Sequence, residues 1–300
     1  MTDQVSIVEV GPRDGLQNEP QPLSVPLRIE LIRRLAAAGL NRIEVGAMVS
    51  PKHVPAMAGS SEVLQAIAER EFYTSVLVPN VRGLQSLPHP KASDEIAVFT
   101  AASDAFNLKN IGCDIAESLA RIKAVIAEAE VPVRGYVSCI FACPYSGEVD
   151  MAKVTEVSQV LLEMGCYEVS LGDTTGVGTY REARRRFRHW ASTLGAGKLA
   201  GHFHDTYGQG LANVCAALEE GVRRFDSSVA GLGGCPYAPG ASGNLATENL
   251  LYLLSQEGMH TEANLEAVID TAHWINHQLN RSAQSALMQT ERSTCQNPSS

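Results

Sequence analysis

Along this chain, short β-branched or apolar runs are each followed by a polar or glycine-containing turn and then by a longer stretch with apolar residues three and four apart. The runs Val5–Val10, Arg42–Ala47, Tyr73–Val78, Glu95–Thr100, Val133–Ser138, Tyr167–Leu171, Leu199–His204 and Phe225–Val229 predict eight strands. The clearest helix carries Ile115, Leu119, Ile122, Val125, Ile126 and Ala129 on one stripe, with Asp114 as its N-cap and Pro132 as its stop. Eight strand-then-helix units within about 250 residues match an α/β fold of the (β/α)8 TIM-barrel type, for which that length is typical. A doubly wound open sheet is the rival, but it needs a glycine-rich phosphate loop after its first strand. Here Gly11-Pro12-Arg13-Asp14-Gly15 puts a proline and two charges where a close backbone approach would be wanted. The barrel is therefore expected as one catalytic domain over residues 1–257. Residues 258–300 are expected to add helical stretches around Ala263–Leu279, packed on the barrel, and a polar tail.

Composition narrows the class of function. The chain has 300 residues, 45% of them hydrophobic, which is ample for one large core. Lys and Arg total 24 against 33 Asp and Glu, a formal charge of −9, which is the wrong sign for a protein that neutralises nucleic-acid phosphates. An anionic small molecule would have to be received by a few local cations rather than by the overall field. Asp3 stands where a signal peptide would carry basic residues, and the first apolar run is too short to span a membrane, so neither leader nor membrane partner is expected. The seven cysteines, Cys113, Cys139, Cys143, Cys166, Cys215, Cys235 and Cys295, lack paired spacing, and a reducing, cytoplasmic location is expected.

A barrel assembles its active site at the C-terminal ends of its strands. Strand one ends in Arg13 and Asp14, strand two carries Glu44, strand six runs into Asp173, and strand seven ends with His202, Phe203, His204 and Asp205. Two positions apart on a strand, His202 and His204 share one face. Two readings stand: hydrogen-bonded fillers of the barrel mouth, or metal ligands. As ligands, with the Asp14 carboxylate and an amide oxygen from Asn244, they would make a nitrogen and oxygen set suited to Mg²⁺ or Mn²⁺, with zinc also open on ligand chemistry. Arg13 with Glu44 and Asp173 is either a structural ion-pair cluster or a rigidly held guanidinium facing a developing oxyanion. Cys235 lies in a segment rich in glycine and proline and is either a small buried apolar residue of an ordinary turn or, over a metal site, the best placed of the thiols for proton transfer. Lys52, His53, Arg82 and Lys109 follow strands two to four and are the cationic candidates for an anionic ligand, Lys52 and Lys109 foremost.

The segments VEVGPRDGLQNE (8–19), VSPKHVP (49–55), VRGYVSCIFACPY (133–145), MGCYEVSLGDTTGVGT (164–179), GHFHDTYGQGLAN (201–213) and SSVAGLGGCPYAPGASGNLATE (227–248) together resemble the 3-hydroxy-3-methylglutaryl-CoA lyase family, part of a metal-dependent lyase and synthase superfamily on the TIM barrel. The resemblance implies Asp14, His202, His204 and Asn244 as ligands of Mg²⁺ or Mn²⁺. It implies Arg13 as the catalytic arginine with Glu44 and Asp173 around it, His202 as the proton acceptor from the 3-hydroxyl, and Cys235 as the proton donor to the enolate carbon. The implied reaction cleaves (S)-3-hydroxy-3-methylglutaryl-CoA to acetoacetate and acetyl-CoA, in leucine degradation and ketone-body metabolism. A homodimer is the implied assembly. The GLGGCPYA segment favours the lyase branch over the acyl-CoA and keto-acid condensing synthases. Ala47, Met48 and His53 depart from a serine, a phenylalanine and a tryptophan in the family pattern, and Pro20 replaces a commonly basic residue. These departures are either neutral or fit the alternative substrate, a 3-hydroxy-3-alkylglutaryl-CoA with a longer branch.

Overall fold

Strands whose side chains alternate between two faces, each followed by a covering helix, close into a parallel barrel. The computed structural model describes residues 4–233 and 243–295. Its barrel strands are β1 (Ser6–Glu9), β2 (Arg42–Ala47), β3 (Tyr73–Leu77), β4 (Glu95–Ala101), β5 (Val133–Ser138), β6 (Cys166–Asp173), β7 (Leu199–Phe203) and β8 (Arg224–Ser227). They pair in chain order, and β8 pairs back to β1, so the sheet has no open edge. These are the eight strands expected from the pattern, with ends displaced by two residues at most. A two-stranded hairpin, Ala142–Cys143 with Gly147–Glu148, follows β5.

Around the strands run α1 (Val25–Ala37), α2 (Ser60–Ala66), α3 (Val81–Gln85), α4 (Asp104–Ile111), α5 (Ile115–Glu128), α6 (Met151–Met164), α7 (Tyr180–Trp190), α8 (Gly210–Glu219) and α9 (Thr247–Gln256), and α10 (Leu265–Gln278) and α11 (Ala286–Cys295) follow. Helix α5 begins where the sequence places it: the Asp114 carboxylate accepts the Glu117 N–H at 2.8 Å, satisfying one of the donors a helix start leaves open. Helix α10 packs against α1 and α9, and Val268, Ala272, Ile275 and Met288 join the same buried apolar cluster as the barrel. Among the described residues no helix is long and apolar enough to cross a membrane.

Inside the barrel the alternation delivers charge as well as apolar bulk. Arg134 faces its register partner Glu168, Tyr136 faces Ser170, and His202 faces Asp226. All six are buried. Arg134 donates through Nε to Glu168 (2.8 Å), through Nη1 to the Tyr136 hydroxyl (2.8 Å) and through Nη2 to Asp226 (2.7 Å). Arg224 pairs with the other oxygen of Glu168. The period of two predicts which residues share a face, but only closure of the barrel shows that these charges meet across it.

Candidate active site

The first strand delivers its chemistry through a π-helical turn, Gly11–Gly15, that holds Arg13 and Asp14. Gly15 permits this: a Cβ there would lie 2.7 Å from both Leu232 Cβ and Ser228 Oγ, so the turn docks directly on the segment that follows β8. Glu9, the last residue of β1, ties the same parts together. Its carboxylate accepts the Gly11 N–H (2.8 Å), the Val229 N–H (2.9 Å) and the Thr247 hydroxyl (2.6 Å). Burial pushes that carboxyl up to about 7 in spite of those donors.

The seventh strand supplies His202 and, just past its end, His204. A bridge between His204 and Asn244, flanked by Asp205 N–H to Gly243 O (2.7 Å) and Leu245 N–H to Phe203 O (3.0 Å), folds the segment after β8 back onto the histidines. Ligand atoms of Asp14, His202 and His204 all lie within 4.8 Å of one another, close enough to share a single ion. Their chemistry suits one. Burial raises the Asp14 carboxyl, but Arg13, His202, His204 and the Asn244 amide outweigh it and hold it down at about 2, so it is an anion at neutral pH. Burial and the neighbouring His202 push His204 down to about 4, which keeps its imidazole neutral, the form that binds metal. Its Nδ1 is buried without a hydrogen-bond partner. Asn244 donates from Nδ2 to Asp14 Oδ2 (2.8 Å) and to the Leu232 carbonyl (3.2 Å), so a ligand role would fall to its amide oxygen. The set is imidazole and oxygen with no thiolate, which fits a divalent cation.

Arg13 is held by two acids. Nε donates to Glu44 Oε2 at 2.6 Å and Nη1 to Asp14 Oδ1 at 2.5 Å, and the guanidinium lies 5.6 Å from the centre of the Tyr136 ring. Burial works against the cation, but the Glu44 and Asp14 carboxylates more than reverse this and fix the charge. No hydrogen bond joins Nη2 to a described residue, which leaves donors for a ligand. Asp173 does not take part in this clamp. Its Oδ2 accepts the Gly178 N–H at 2.9 Å, its Oδ1 is buried without a partner, and burial pushes it up to about 6 against the turn's N–H groups. Asp14, not Asp173, is thus the second acid on Arg13.

Arg13 and the candidate metal ligands line a cavity of about 750 Å³. Its lining includes Arg13, Asp14, His202, His204 and Asn244, the apolar Met48, Leu77 and Phe99, and Arg82, Asn110 and Arg121. His53 and Arg82 line it, as their place after strands two and three suggested, whereas Lys52 and Lys109 do not. Arg28 on α1, wholly buried, donates to the Ala58 carbonyl (2.7 Å) and the Ser60 hydroxyl (3.1 Å), tying α1 to the start of α2. Cys235 lies outside the described residues. Sequence reasoning missed Tyr136, Arg121 and Asp226. For Tyr136 and Asp226 a signal was present: Arg134, Glu168 and Asp226 are charges inside strand runs, where side chains are usually apolar.

A closed barrel with an arginine and a candidate metal site at the C-terminal ends of its strands has the layout of a barrel enzyme. The HMGL-like family matches residues 4–275, and the chain belongs to that family. It is 53% identical over 276 residues (91% of this chain, 92% of the other) to the 3-hydroxy-3-isohexenylglutaryl-CoA/hydroxy-methylglutaryl-CoA lyase of Pseudomonas aeruginosa. It is 54% identical over 280 residues, 92% of each chain, to the hydroxymethylglutaryl-CoA lyase of Pseudomonas mevalonii. The crystal structure of a hydroxymethylglutaryl-CoA lyase from Pseudomonas aeruginosa superposes with a TM-score of 0.94 at 49% identity, covering 98% of this chain and 99% of that one.

Proposed function

We propose that this protein is a carbon–carbon lyase that cleaves 3-hydroxy-3-methylglutaryl-CoA to acetoacetate and acetyl-CoA. The observation that carries this reading is the convergence of Arg13 with Asp14, His202 and His204 on the wall of one cavity, in a member of this family. Asp14, His202, His204 and the amide oxygen of Asn244 would hold Mg²⁺ or Mn²⁺, which supplies Lewis-acid chemistry that acidifies a hydroxyl and orients a substrate.

The protein's own groups meet the remaining demands. As the 3-hydroxyl passes its proton to solvent water in the cavity, the C2–C3 bond breaks and its electron pair passes to the acetyl-CoA fragment as an enolate, leaving the ketone of acetoacetate. Arg13 stabilises the charge on the thioester oxygen with the donors that Glu44 and Asp14 leave over, and Glu44 keeps the guanidinium from turning away. Ligation and proton acceptance compete for one atom of His202, because its Nδ1 faces Asp226. We assign that atom, Nε2, to the metal. Cys235 is the candidate that returns a proton to the enolate carbon. Arg82 and Arg121, which line the cavity and ligate nothing in the candidate metal site, are the cations best placed for the CoA moiety.

The cavity wall favours a second substrate alongside the first. Met48, Val49, Leu77 and Phe99 give the cavity apolar lining, and the Pseudomonas aeruginosa relative is named for a branched isohexenyl substrate as well. A Mg²⁺-supplemented assay with both acyl-CoA esters separates the readings. Acetoacetate from the methyl ester is expected; turnover of the isohexenyl ester alone would replace the named substrate, and turnover of neither would overturn the lyase.

A further inference from the structure

We infer that Asp226 is a positioning residue that fixes the tautomer of His202 and thereby aims Nε2 at the metal site. The inference rests on the metal reading given above. Asp226 lies on β8 beside its register partner His202 and is buried. Its Oδ2 stands 3.2 Å from His202 Nδ1. The carboxylate cannot turn: Oδ1 accepts from Arg134 Nη2 at 2.7 Å, and Oδ2 also accepts the Ser170 hydroxyl at 2.6 Å. Arg134 is itself held by Glu168 and Tyr136.

A carboxylate accompanied by an arginine is an acceptor only, so His202 Nδ1 must carry a hydrogen. In a neutral imidazole that leaves the lone pair on Nε2, the atom that lies 3.9 Å from Asp14 Oδ2. His204 has no such partner: its Nδ1 is buried without a hydrogen bond. The two candidate imidazole ligands are therefore unequal. One is oriented in advance by a chain running from β5 through β8 to β7, and the other is left for the ion to orient. Carboxylates that hold a metal-binding histidine in this way typically govern affinity by about 10–100-fold.

The test uses Asp226→Asn and Ser170→Ala in the full-length protein. In Asp226→Asn the amide oxygen stays on Arg134 and the amide N–H₂ faces His202, which forces Nδ1 to accept and puts the hydrogen on Nε2. Mn²⁺ affinity, followed by electron paramagnetic resonance, is expected to fall by about 10–100-fold. At a pH high enough for His202 to be neutral, the ¹⁵N spectrum of the metal-free protein should change His202 from the Nδ1–H to the Nε2–H tautomer while His204 keeps its signals. Ser170→Ala retains the carboxylate and should weaken Mn²⁺ binding less, with no change of tautomer. Unchanged Mn²⁺ affinity in Asp226→Asn, or an Nε2–H tautomer in the wild type, overturns the inference. Should the wild type bind no Mn²⁺, the metal reading fails, and the tautomer spectra alone decide whether Asp226 orients His202.

Discussion

Arg13 and Arg134 are both buried, both flanked by two carboxylates and both set against the ring of Tyr136. They differ in what is left over. Arg134, inside the barrel, has partners on all three nitrogens. Arg13, in the turn beyond the strand, has two nitrogens committed and lines the cavity. The saturated guanidinium acts as a strut, whereas the unsaturated one is clamped as rigidly and still has donors to offer. What separates scaffold from tool here is one turn of chain past the end of a strand, where the barrel ladder stops claiming side chains.

The largest effect is expected at the strut. Arg134→Met leaves Asp226 buried without its arginine and Glu168 with Arg224 alone, and should cost about 3–5 kcal/mol of stability, read from the urea midpoint. A midpoint equal to that of the wild type would erase the contrast. Arg13→Gln should lower turnover by about 10²–10³-fold, the scale of losing one oxyanion donor, while Mn²⁺ affinity and stability change far less. Equal losses of turnover and Mn²⁺ affinity would make Arg13 a second strut.

A smaller effect belongs to the apolar wall. Met48→Phe stiffens and narrows it, and kcat/KM for an isohexenylglutaryl ester should drop by about 10-fold or more relative to the methyl ester. Parallel losses for both esters would remove Met48 from substrate choice.

The mildest prediction extends the contrast to carboxylates. Arg134 holds the Asp226 carboxyl well below its usual range in spite of burial, whereas Glu9, with no cation beside it among the described residues, is pushed by burial from 4.5 up to about 7. Between those two values the folded state keeps a proton that the unfolded chain has lost, so Glu9's contribution makes stability fall as pH rises through this window. Glu9→Gln should flatten that slope in melting temperature against pH. Parallel profiles for variant and wild type would show that Glu9 holds no such proton.

The elements of this fold are legible in the sequence because each strand is a short apolar run closed by a turn and each helix carries a continuous stripe. Arg13, Asp14, His202 and His204 are legible for a related reason, since unusual residues at strand ends of a barrel converge. The inner network is not legible: the alternation says that Arg134 and Tyr136 share a face, but whether that face is inside, and that Asp226 lies beneath His202, depends on closure. The second acid on Arg13 shows the same limit. Asp173 sits at a strand end as Asp14 does, yet the turn after β6 takes up its carboxylate with backbone N–H groups. The cations of the cavity depend on how the segments after the strands are turned, so Arg82 on α3 and Arg121 on α5 line it while Lys109 on α4 and Lys52 in the turn after β2 do not.

The claim on which the rest depends is that Asp14, His202 and His204 form one metal site. Titration of chelator-treated protein with Mn²⁺, followed by electron paramagnetic resonance in the wild type and in His204→Ala, tests it directly. The account predicts a single bound ion per chain in the wild type and its loss in the variant. Binding that survives His204→Ala unchanged, or no binding in the wild type, would contradict it.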